Sequence, residues 1–312
     1  MLIRVFKSNQ KIINVLTVFL LLLLWIPAFF SETLSFGLVS TGLRWLDLFL
    51  MMCLVMCQVV YLNSVVSMYK LVKNNSHLTS LIYAILNSCF LWLFELNVVV
   101  LSNTFVLLAL HQLFRVYGTK NQFSISFGVG LLFGVAGLIY TPMFIYFILV
   151  WTFLLYTTTP SWRDFIVSLI GFCTPFVYYI VYKFIFADLS TLSINEYLTQ
   201  TFIVSWESFS SSNWLFFIGL LIVLGLALFN LLVTISKSGV KTSRLLVMVL
   251  LMFVLGLGSL FLNRYDFLST FLVLSIPMAI IIANFFQNMK KVWLAEVLFL
   301  YLLVTMVMGY FS

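Results

Sequence analysis

Apolar residues form long, nearly continuous runs along the whole chain, and short polar turns separate them. Most runs hold about twenty residues, the length that a helix needs to cross a bilayer core of about 30 Å. Barrel strands would instead alternate polar and apolar positions over about ten residues. The pattern therefore predicts an all-α polytopic membrane protein.

The runs divide into eleven predicted transmembrane helices within a single integral membrane domain, residues 1–312. Their bounds are 12–30, 45–67, 78–99, 103–117, 123–141, 143–159, 165–186, 214–235, 245–262, 267–286 and 293–311. The first run follows basic residues, as the core of a signal peptide does, but it is too long and no small-residue cleavage site follows it. We therefore interpret it as a retained first span.

Lysine and arginine residues predict the side of the membrane on which each loop lies, because cytoplasmic loops carry an excess of them. With a cytoplasmic N-terminus, the outer side holds three of the sixteen basic residues, Arg44, Lys183 and Arg264. One additional or missing span would mix the two sets from that point on. The distribution therefore supports eleven spans and a cytoplasmic N-terminus.

The composition agrees with a lipid environment, since 63% of the residues are hydrophobic and 8% are charged, whereas soluble domains carry about 25% charged residues. The net charge of +7 is placed in short loops, so the predicted partner is the lipid bilayer and not nucleic acid. The four cysteines fall inside apolar runs without a metal-type spacing to histidines, and we interpret them as small buried hydrophobic residues. No metal or cofactor is expected.

The longest outer segment comprises residues 187–213. Its apolar residues fall mostly at helical spacing, and polar residues fill the gaps. One interpretation is an amphipathic helix in the outer interface, anchored by Trp206. The other is a loop that covers the top of the bundle.

Glu95 and His111 form the first candidate site, because they are rare ionisable residues inside apolar runs. If the chain turns near Asn103, two antiparallel helices would bring both side chains to the same depth. An ionisable residue inside a membrane is by default a functional hypothesis. The pair is predicted to be a proton relay, a carboxylate oriented by histidine, or a polar clasp between adjacent helices.

A second candidate site comprises five ionisable residues near the outer face: Glu32, Arg44, Asp47, Arg264 and Asp266. Arginine is suited to phosphate and carboxylate groups. One interpretation assigns Arg44, Arg264 and Asp266 to a lipid-linked phosphate or an anionic substrate, with Glu32 or Asp47 as general base. The other interpretation is local salt bridging and contact with lipid headgroups.

Four glycines lie in one apolar run: Gly128, Gly130, Gly134 and Gly137. Positions 130 and 134 match the small-xxx-small pattern, which lets two membrane helices approach closely. No strand precedes the run and no Gly-Lys-Ser/Thr follows it, so it is not a phosphate loop. The run predicts close helix packing.

The middle third of the chain resembles an uncharacterised polytopic inner-membrane family of Bacteroidota, whose members have a similar length. The resemblance rests on the basic turn 115–121, on the glycine run ending at Tyr140, Thr141 and Pro142, and on Trp162, Arg163 and Asp164 followed by Gly171 and Pro175. It implies a multi-pass protein of the bacterial inner membrane, and it implies no reaction.

More distantly, the layout is similar to that of the GT-C glycosyltransferases, multi-span enzymes that use polyprenyl-phosphate sugars at the outer face. The resemblance implies that Glu32 is the acidic general base of the first outer loop. It also implies a polyprenyl-phosphate lipid as a partner.

Three function classes therefore stay open. The chain is predicted to be a non-catalytic subunit among other envelope proteins, a transport-type protein with Glu95 and His111 as its coupling pair, or a GT-C-like transferase. The first two together are favoured over the third, so the sequence leaves open whether the protein is an enzyme.

Overall fold

The computed structural model describes residues 12–30, 44–72, 77–89, 97–116, 122–157, 161–186, 211–262, 267–289 and 291–311. Within these residues the fold is all-helical and contains no strand, as predicted. Seven of the described helices are long and apolar enough to cross a membrane. The chain is thus a multi-pass helical membrane protein, while the count of eleven spans and the side of the N-terminus stay predictions.

The helices follow one another in chain order as α1 (Ile12–Phe30), α2 (Arg44–Met68), α3 (Leu78–Asn87), α4 (Val98–Val116), α5 (Gln122–Ile139), α6 (Ile148–Thr157), α7 (Trp162–Phe186), α8 (Ser211–Lys237), α9 (Val240–Leu262), α10 (Phe267–Asn288) and α11 (Val292–Phe311). A 3₁₀ helix (Thr141–Phe147) lies between α5 and α6. The seven candidate spans lie in α2, α4, α5 and α7 to α10.

Three predicted boundaries are wrong by more than about three residues, the accuracy expected of such bounds. The predicted helix 78–99 ends at Asn87, and α4 begins at Val98, so no turn occurs near Asn103. The predicted helix 245–262 begins at Val240. The start of the predicted helix 143–159 agrees within that accuracy: it begins at Thr141, as a 3₁₀ helix with Pro142 in its first turn, where the missing N–H of proline is tolerated. An apolar run shows that a segment is buried, but it does not show where the helix within it stops.

The described chain divides into two compact units. Unit 1 comprises Met1–Val100, Trp206–Leu250 and Ser275–Ser312, and unit 2 comprises Leu101–Ser205 and Leu251–Leu274. The single domain over residues 1–312 stays a prediction. The amphipathic outer segment also stays a prediction, because residues 187–210 lie outside the described part of the chain.

Close contact between α5 and α7 organises unit 2. A Cβ atom added at Gly130 or Gly134 would lie closer than 3.0 Å to the backbone carbonyl oxygen of Ser168 or Phe172, respectively. The two helix backbones therefore touch at these glycines, as the small-xxx-small pattern allows in membranes. The predicted close packing at positions 130 and 134 is confirmed.

A second feature of unit 2 satisfies backbone carbonyls of α10. Pro277 has no N–H, so the carbonyl of Val273, four residues earlier, lacks its usual helical donor. The hydroxyl of Tyr146 donates to this carbonyl oxygen at 3.1 Å. The side-chain amide of Asn103 donates to the neighbouring carbonyl of Leu272 at 2.9 Å.

Unit 1 contains α3, and every residue of this helix is buried. In the same unit α8 packs on α11, where Gly219 leaves room for the ring of Tyr301. The Tyr301 hydroxyl then donates to the carbonyl oxygen of Leu215 at 3.2 Å. Apolar packing and side-chain hydrogen bonds to the backbone thus occur together in this unit.

Substitution of Gly134 by alanine tests the contact between α5 and α7. Because the new methyl group would meet the backbone of α7, Gly134→Ala is expected to lower the free energy of unfolding by about 1–3 kcal/mol. Gly225 on α8 is a matched control, since an added Cβ there would have no atom within 4 Å, and Gly225→Ala should not destabilise the protein. The melting temperature is measured as the temperature at which half of the purified protein no longer stays monodisperse in detergent. Equal melting temperatures of the two variants would contradict the close contact.

Candidate functional site

The helix α3 stops about half-way through the apolar run that contains it. Its ten residues rise about 15 Å, half the thickness of a bilayer core of about 30 Å. Ser88 and Cys89 follow without helical structure, and both are buried. Non-helical backbone at membrane depth is tolerated only where protein or a polar cavity surrounds it. The end of α3 therefore depends on partners from other helices.

Those partners reach Ser88 from two distant parts of the sequence. The indole N–H of Trp25 on α1 donates to the Ser88 hydroxyl oxygen at 3.0 Å. The hydroxyl of Tyr310 on α11 donates to the Ser88 backbone carbonyl. The Ser88 N–H donates to the carbonyl oxygen of Ile85 and closes the last turn of α3. Both polar groups of the Ser88 backbone are therefore satisfied without water.

A short chain of hydrogen bonds links α3 to α2 and α4. The Tyr83 hydroxyl donates to the side-chain carbonyl oxygen of Gln58 at 2.7 Å. The side-chain amide of Gln58 donates in turn to the backbone carbonyl of Val100, at the beginning of α4, at 2.7 Å. Tyr83 and Gln58 are both buried, so this chain lies inside the protein.

We call these residues together the half-helix cluster: Trp25, Gln58, Tyr83, Asn87, Ser88 and Tyr310. Asn87 differs from the other members because part of its side chain has no partner. Its amide nitrogen donates to the Tyr83 carbonyl at 2.9 Å, but its side-chain oxygen is buried and accepts no hydrogen bond. An unsatisfied buried polar group costs about 1–3 kcal/mol. The cluster therefore retains capacity for a hydrogen-bond donor.

Two further buried side-chain oxygens near α3 also lack a hydrogen-bond partner. The Thr79 hydroxyl oxygen on α3 and the side-chain oxygen of Asn63 on α2 also have no hydrogen-bond partner in the structure. All three unsatisfied atoms are oxygens. The side-chain oxygens of Asn63 and Asn87 can only accept, whereas the Thr79 hydroxyl can also donate. The two amide oxygens are therefore suited to a species that donates hydrogen bonds or carries positive charge.

His77 lies just before the first residue of α3 and is also buried. Its Nδ1 atom is 2.8 Å from the side-chain nitrogen of Asn63. Burial lowers the pKa of His77, because the charged imidazolium is disfavoured away from water. A neutral His77 that accepts a hydrogen bond from Asn63 therefore joins α2 to the start of α3.

The residues of the two predicted sites are only partly described. Four of them lie outside the described residues: Glu32, Glu95, Arg264 and Asp266. Arg44 is the first residue of α2, and Asp47 is buried in the first turn of the same helix. His111 lies on α4 and is partly buried. The assignment of these residues to sites stays a prediction.

The geometric premise of the Glu95 and His111 pair is wrong. It required a turn near Asn103, but Asn103 lies inside the continuous helix α4 and is buried. Its side-chain amide donates to the Leu272 carbonyl, so tertiary contact holds it within the helix. The pairing itself stays a hypothesis, because Glu95 is outside the described part of the chain.

Sequence patterns missed most of the half-helix cluster. Trp25, Tyr83 and Tyr310 are amphipathic residues that an apolar run normally contains, and nothing in their spacing indicates a shared site. Gln58 gave a weak signal, as one of two side-chain amides, with Asn63, inside the apolar run 45–67. Trp25 and Ser88 are 63 residues apart, and Ser88 and Tyr310 are 222 apart, so helical periodicity could not connect them.

Comparison with known proteins yields one match. A family model described as a family of unknown function, DUF6427, matches residues 1–312. No curated protein and no solved structure matches the chain.

The Tyr83→Phe substitution tests the chain of hydrogen bonds around Gln58. It removes the hydroxyl that serves the Gln58 oxygen, so the free energy of unfolding is expected to fall by about 1–2 kcal/mol. Adding Gln58→Leu should recover part of this loss, because it removes the oxygen that the first substitution left without its donor. Unfolding in mixed micelles measures both variants and the double variant. Simple additivity of the two single effects would contradict the hydrogen bond.

Acidification tests the state of His77. Because its pKa is lowered in the folded protein, the unfolded chain, with a histidine pKa of about 6.5, binds the proton more tightly. The contribution of His77 to the free energy of unfolding should therefore be fully present above this pH and be lost as the pH drops below about 6.5. Melting temperatures at neutral and mildly acidic pH provide the measurement. The His77→Asn variant should lose less stability on acidification, and a decrease equal to that of the wild type would refute the assignment.

Proposed function

We propose that this chain, which belongs to the DUF6427 family of unknown function, acts as a transport-type membrane protein whose binding site lies at the end of α3. Its apolar helices are those of a multi-pass membrane protein. The observation that carries the proposal is the interruption of α3 inside unit 1, together with the half-helix cluster around it.

Interrupted helices have a known physical use in membrane transport. They expose backbone and side-chain polar groups near the middle of the bilayer, where a solute can exchange its hydration shell for protein ligands. The helix α3 ends about 15 Å from its first residue, at Asn87, whose side-chain oxygen is buried and accepts no hydrogen bond. A purely structural break would be more stable if every such group had a partner.

The chemistry of the cluster favours a donor or a cation as the transported species. At the end of α3 the unsatisfied side-chain oxygen of Asn87 can only accept, and the C-terminal end of a helix carries partial negative charge. Within this proposal Glu95, two residues before the described residue Asn97, supplies a proton-coupling carboxylate. His111 on α4 is its proposed partner.

The membrane and the topology in this proposal come from the sequence. The distribution of basic residues supports eleven spans with a cytoplasmic N-terminus. The resemblance to a family of Bacteroidota supports the bacterial inner membrane as the location. Other envelope proteins and the lipid bilayer are the partners that follow from this location.

A GT-C-like transferase is the second candidate function. One described feature favours it, which is the buried carboxyl side chain of Asp47 in the first turn of α2. In that function Glu32 or Asp47 is the general base, and Arg44, Arg264 and Asp266 hold the phosphate of a polyprenyl-phosphate-linked sugar. An outer-face site then replaces the end of α3 as the functional centre.

Cysteine labelling separates a transport site from a static bundle. Cys89 lies two residues after the last residue of α3 and is buried. Cys57 and Cys173 are exposed on the protein surface. The prediction that all four cysteines are buried is therefore wrong. In a variant that retains Cys89 alone, a small cationic methanethiosulfonate is expected to react in membrane vesicles, because opening of the site would admit water to this thiol. The measurement is the rate of labelling by mass spectrometry.

A variant that retains Cys57 alone provides the matched control. Cys57 is exposed on α2, a candidate membrane span, so lipid should cover it and slow a reaction that needs a hydrated thiolate. Cys89 should react at least about tenfold faster, a difference of about 1.4 kcal/mol in activation free energy. If Cys89 reacts only after denaturation in detergent, the transport proposal fails and a non-catalytic subunit becomes the better description.

A further inference from the structure

A second polar cluster in unit 1 lies where α8 and α10 end, and the half-helix cluster does not include it. We call it the amide cluster: Asn230 and Thr234 on α8, and Asn284 and Asn288 on α10. The side-chain nitrogen of Asn288 contacts the side-chain oxygen of Asn284 at 2.7 Å and the Thr234 hydroxyl oxygen at 3.1 Å. It also lies 3.3 Å from the side-chain oxygen of Asn230.

The direction of these hydrogen bonds follows from Thr234. Its hydroxyl donates to the Asn230 backbone carbonyl at 2.8 Å, and a hydroxyl has one proton to donate. With this hydrogen bond Thr234 accepts from Asn288. The nitrogen of Asn288 then faces the cluster, and the oxygen of Asn284 faces Asn288.

This direction leaves the side-chain nitrogen of Asn284 with two protons and no acceptor. Asn284 is 1% exposed, and its nitrogen has no hydrogen-bond partner in the structure. A buried donor without an acceptor is costly. In this arrangement no described residue places an acceptor atom within hydrogen-bond distance of the Asn284 nitrogen.

The charges next to the amide cluster are positive. Lys237 is the last residue of α8, about one helical turn beyond Thr234. Lys291 follows Asn288, the last residue of α10, by three positions in the sequence. Both lysines are exposed. The helices that follow these lysines are α9, after Lys237, and α11, after Lys291. Glu296 is the one acidic residue described in these two helices, whereas Lys241 and Arg244 in α9 add positive charge.

We propose that the amide cluster binds the phosphate group of an anionic ligand, with Asn284 donating to a phosphate oxygen and with Lys237 and Lys291 supplying the compensating charge. Asn284 lies about one helical turn before Asn288, the last residue of α10, a rise of about 6 Å. A lipid headgroup region is of similar depth, and basic pockets between membrane helices bind such headgroups. The phosphate comes from an anionic lipid or from free phosphate, and the two sources share this chemistry. The proposal is independent of the transport site at α3.

The test is thermal unfolding of the purified full chain in nanodiscs. Nanodiscs of phosphatidylcholine are compared with nanodiscs that also contain phosphatidylglycerol, and inorganic phosphate is added in a separate arm. Phosphatidylglycerol is expected to raise the melting temperature above that in phosphatidylcholine alone. If inorganic phosphate gives the same increase, the site is supported and its natural ligand is free phosphate.

Variants assign any such increase to the amide cluster. Lys237→Gln and Lys291→Gln leave the buried amides intact, and each should weaken phosphatidylglycerol binding about fivefold, as measured by native mass spectrometry. Asn284→Leu should remove the lipid-dependent increase, and the lysine variants keep the test valid if this variant folds poorly. Lys183→Gln is the matched control, because Lys183 is a lysine near the end of α7 in unit 2, and it should bind like the wild type. Equal melting temperatures in both lipids, or lysine variants that bind like the wild type, would overturn the proposal and leave a water molecule as the acceptor for Asn284.

Discussion

Water is absent from the hydrocarbon core of a membrane, so every backbone group that a helix leaves open must find its partner within the protein. Two places in this fold show how that constraint is met. At the end of α3 the hydroxyl of Tyr310 satisfies the Ser88 carbonyl. In α10 the hydroxyl of Tyr146 satisfies the Val273 carbonyl that Pro277 leaves without a donor. In both places a tyrosine hydroxyl from another helix takes the role of the missing backbone N–H.

Two contacts, one in each unit, join helices in different ways. In unit 2 the backbones of α5 and α7 touch at Gly130 and Gly134, and such close packing resists displacement because no side chain can yield there. In unit 1 the surroundings of α3 depend on side-chain hydrogen bonds, which in membranes are worth about 0.6–2 kcal/mol each. Bonds of that strength can exchange partners with a solute. The half-helix cluster is therefore better suited to rearrangement than the glycine contact.

The two polar clusters of unit 1 have opposite chemical needs. Around α3 the unsatisfied atoms are oxygens, among them the side-chain oxygen of Asn87, whereas in the amide cluster the unsatisfied atom is the nitrogen of Asn284. Both clusters lie beside C-terminal ends of helices, where the field favours positive charge, and in the second cluster lysines of the protein supply that charge. The second lies next to Lys237 and Lys291, which favour negative charge. This difference is the physical reason for assigning a donor or cation to one cluster and a phosphate to the other.

The sequence by itself determined that the solvent is lipid and that the chain is helical, because both depend on composition and on the length of the apolar runs. It also predicted the approach of helices at Gly130 and Gly134, since a repeat of small residues is a local pattern. It could not predict that α3 ends at Asn87, because the run 78–99 is apolar beyond that point and the partners that stabilise the break are Trp25 and Tyr310, far away in the chain. The place where a helix stops within an apolar run depends on which distant side chain can satisfy its backbone, and only the tertiary structure decides that.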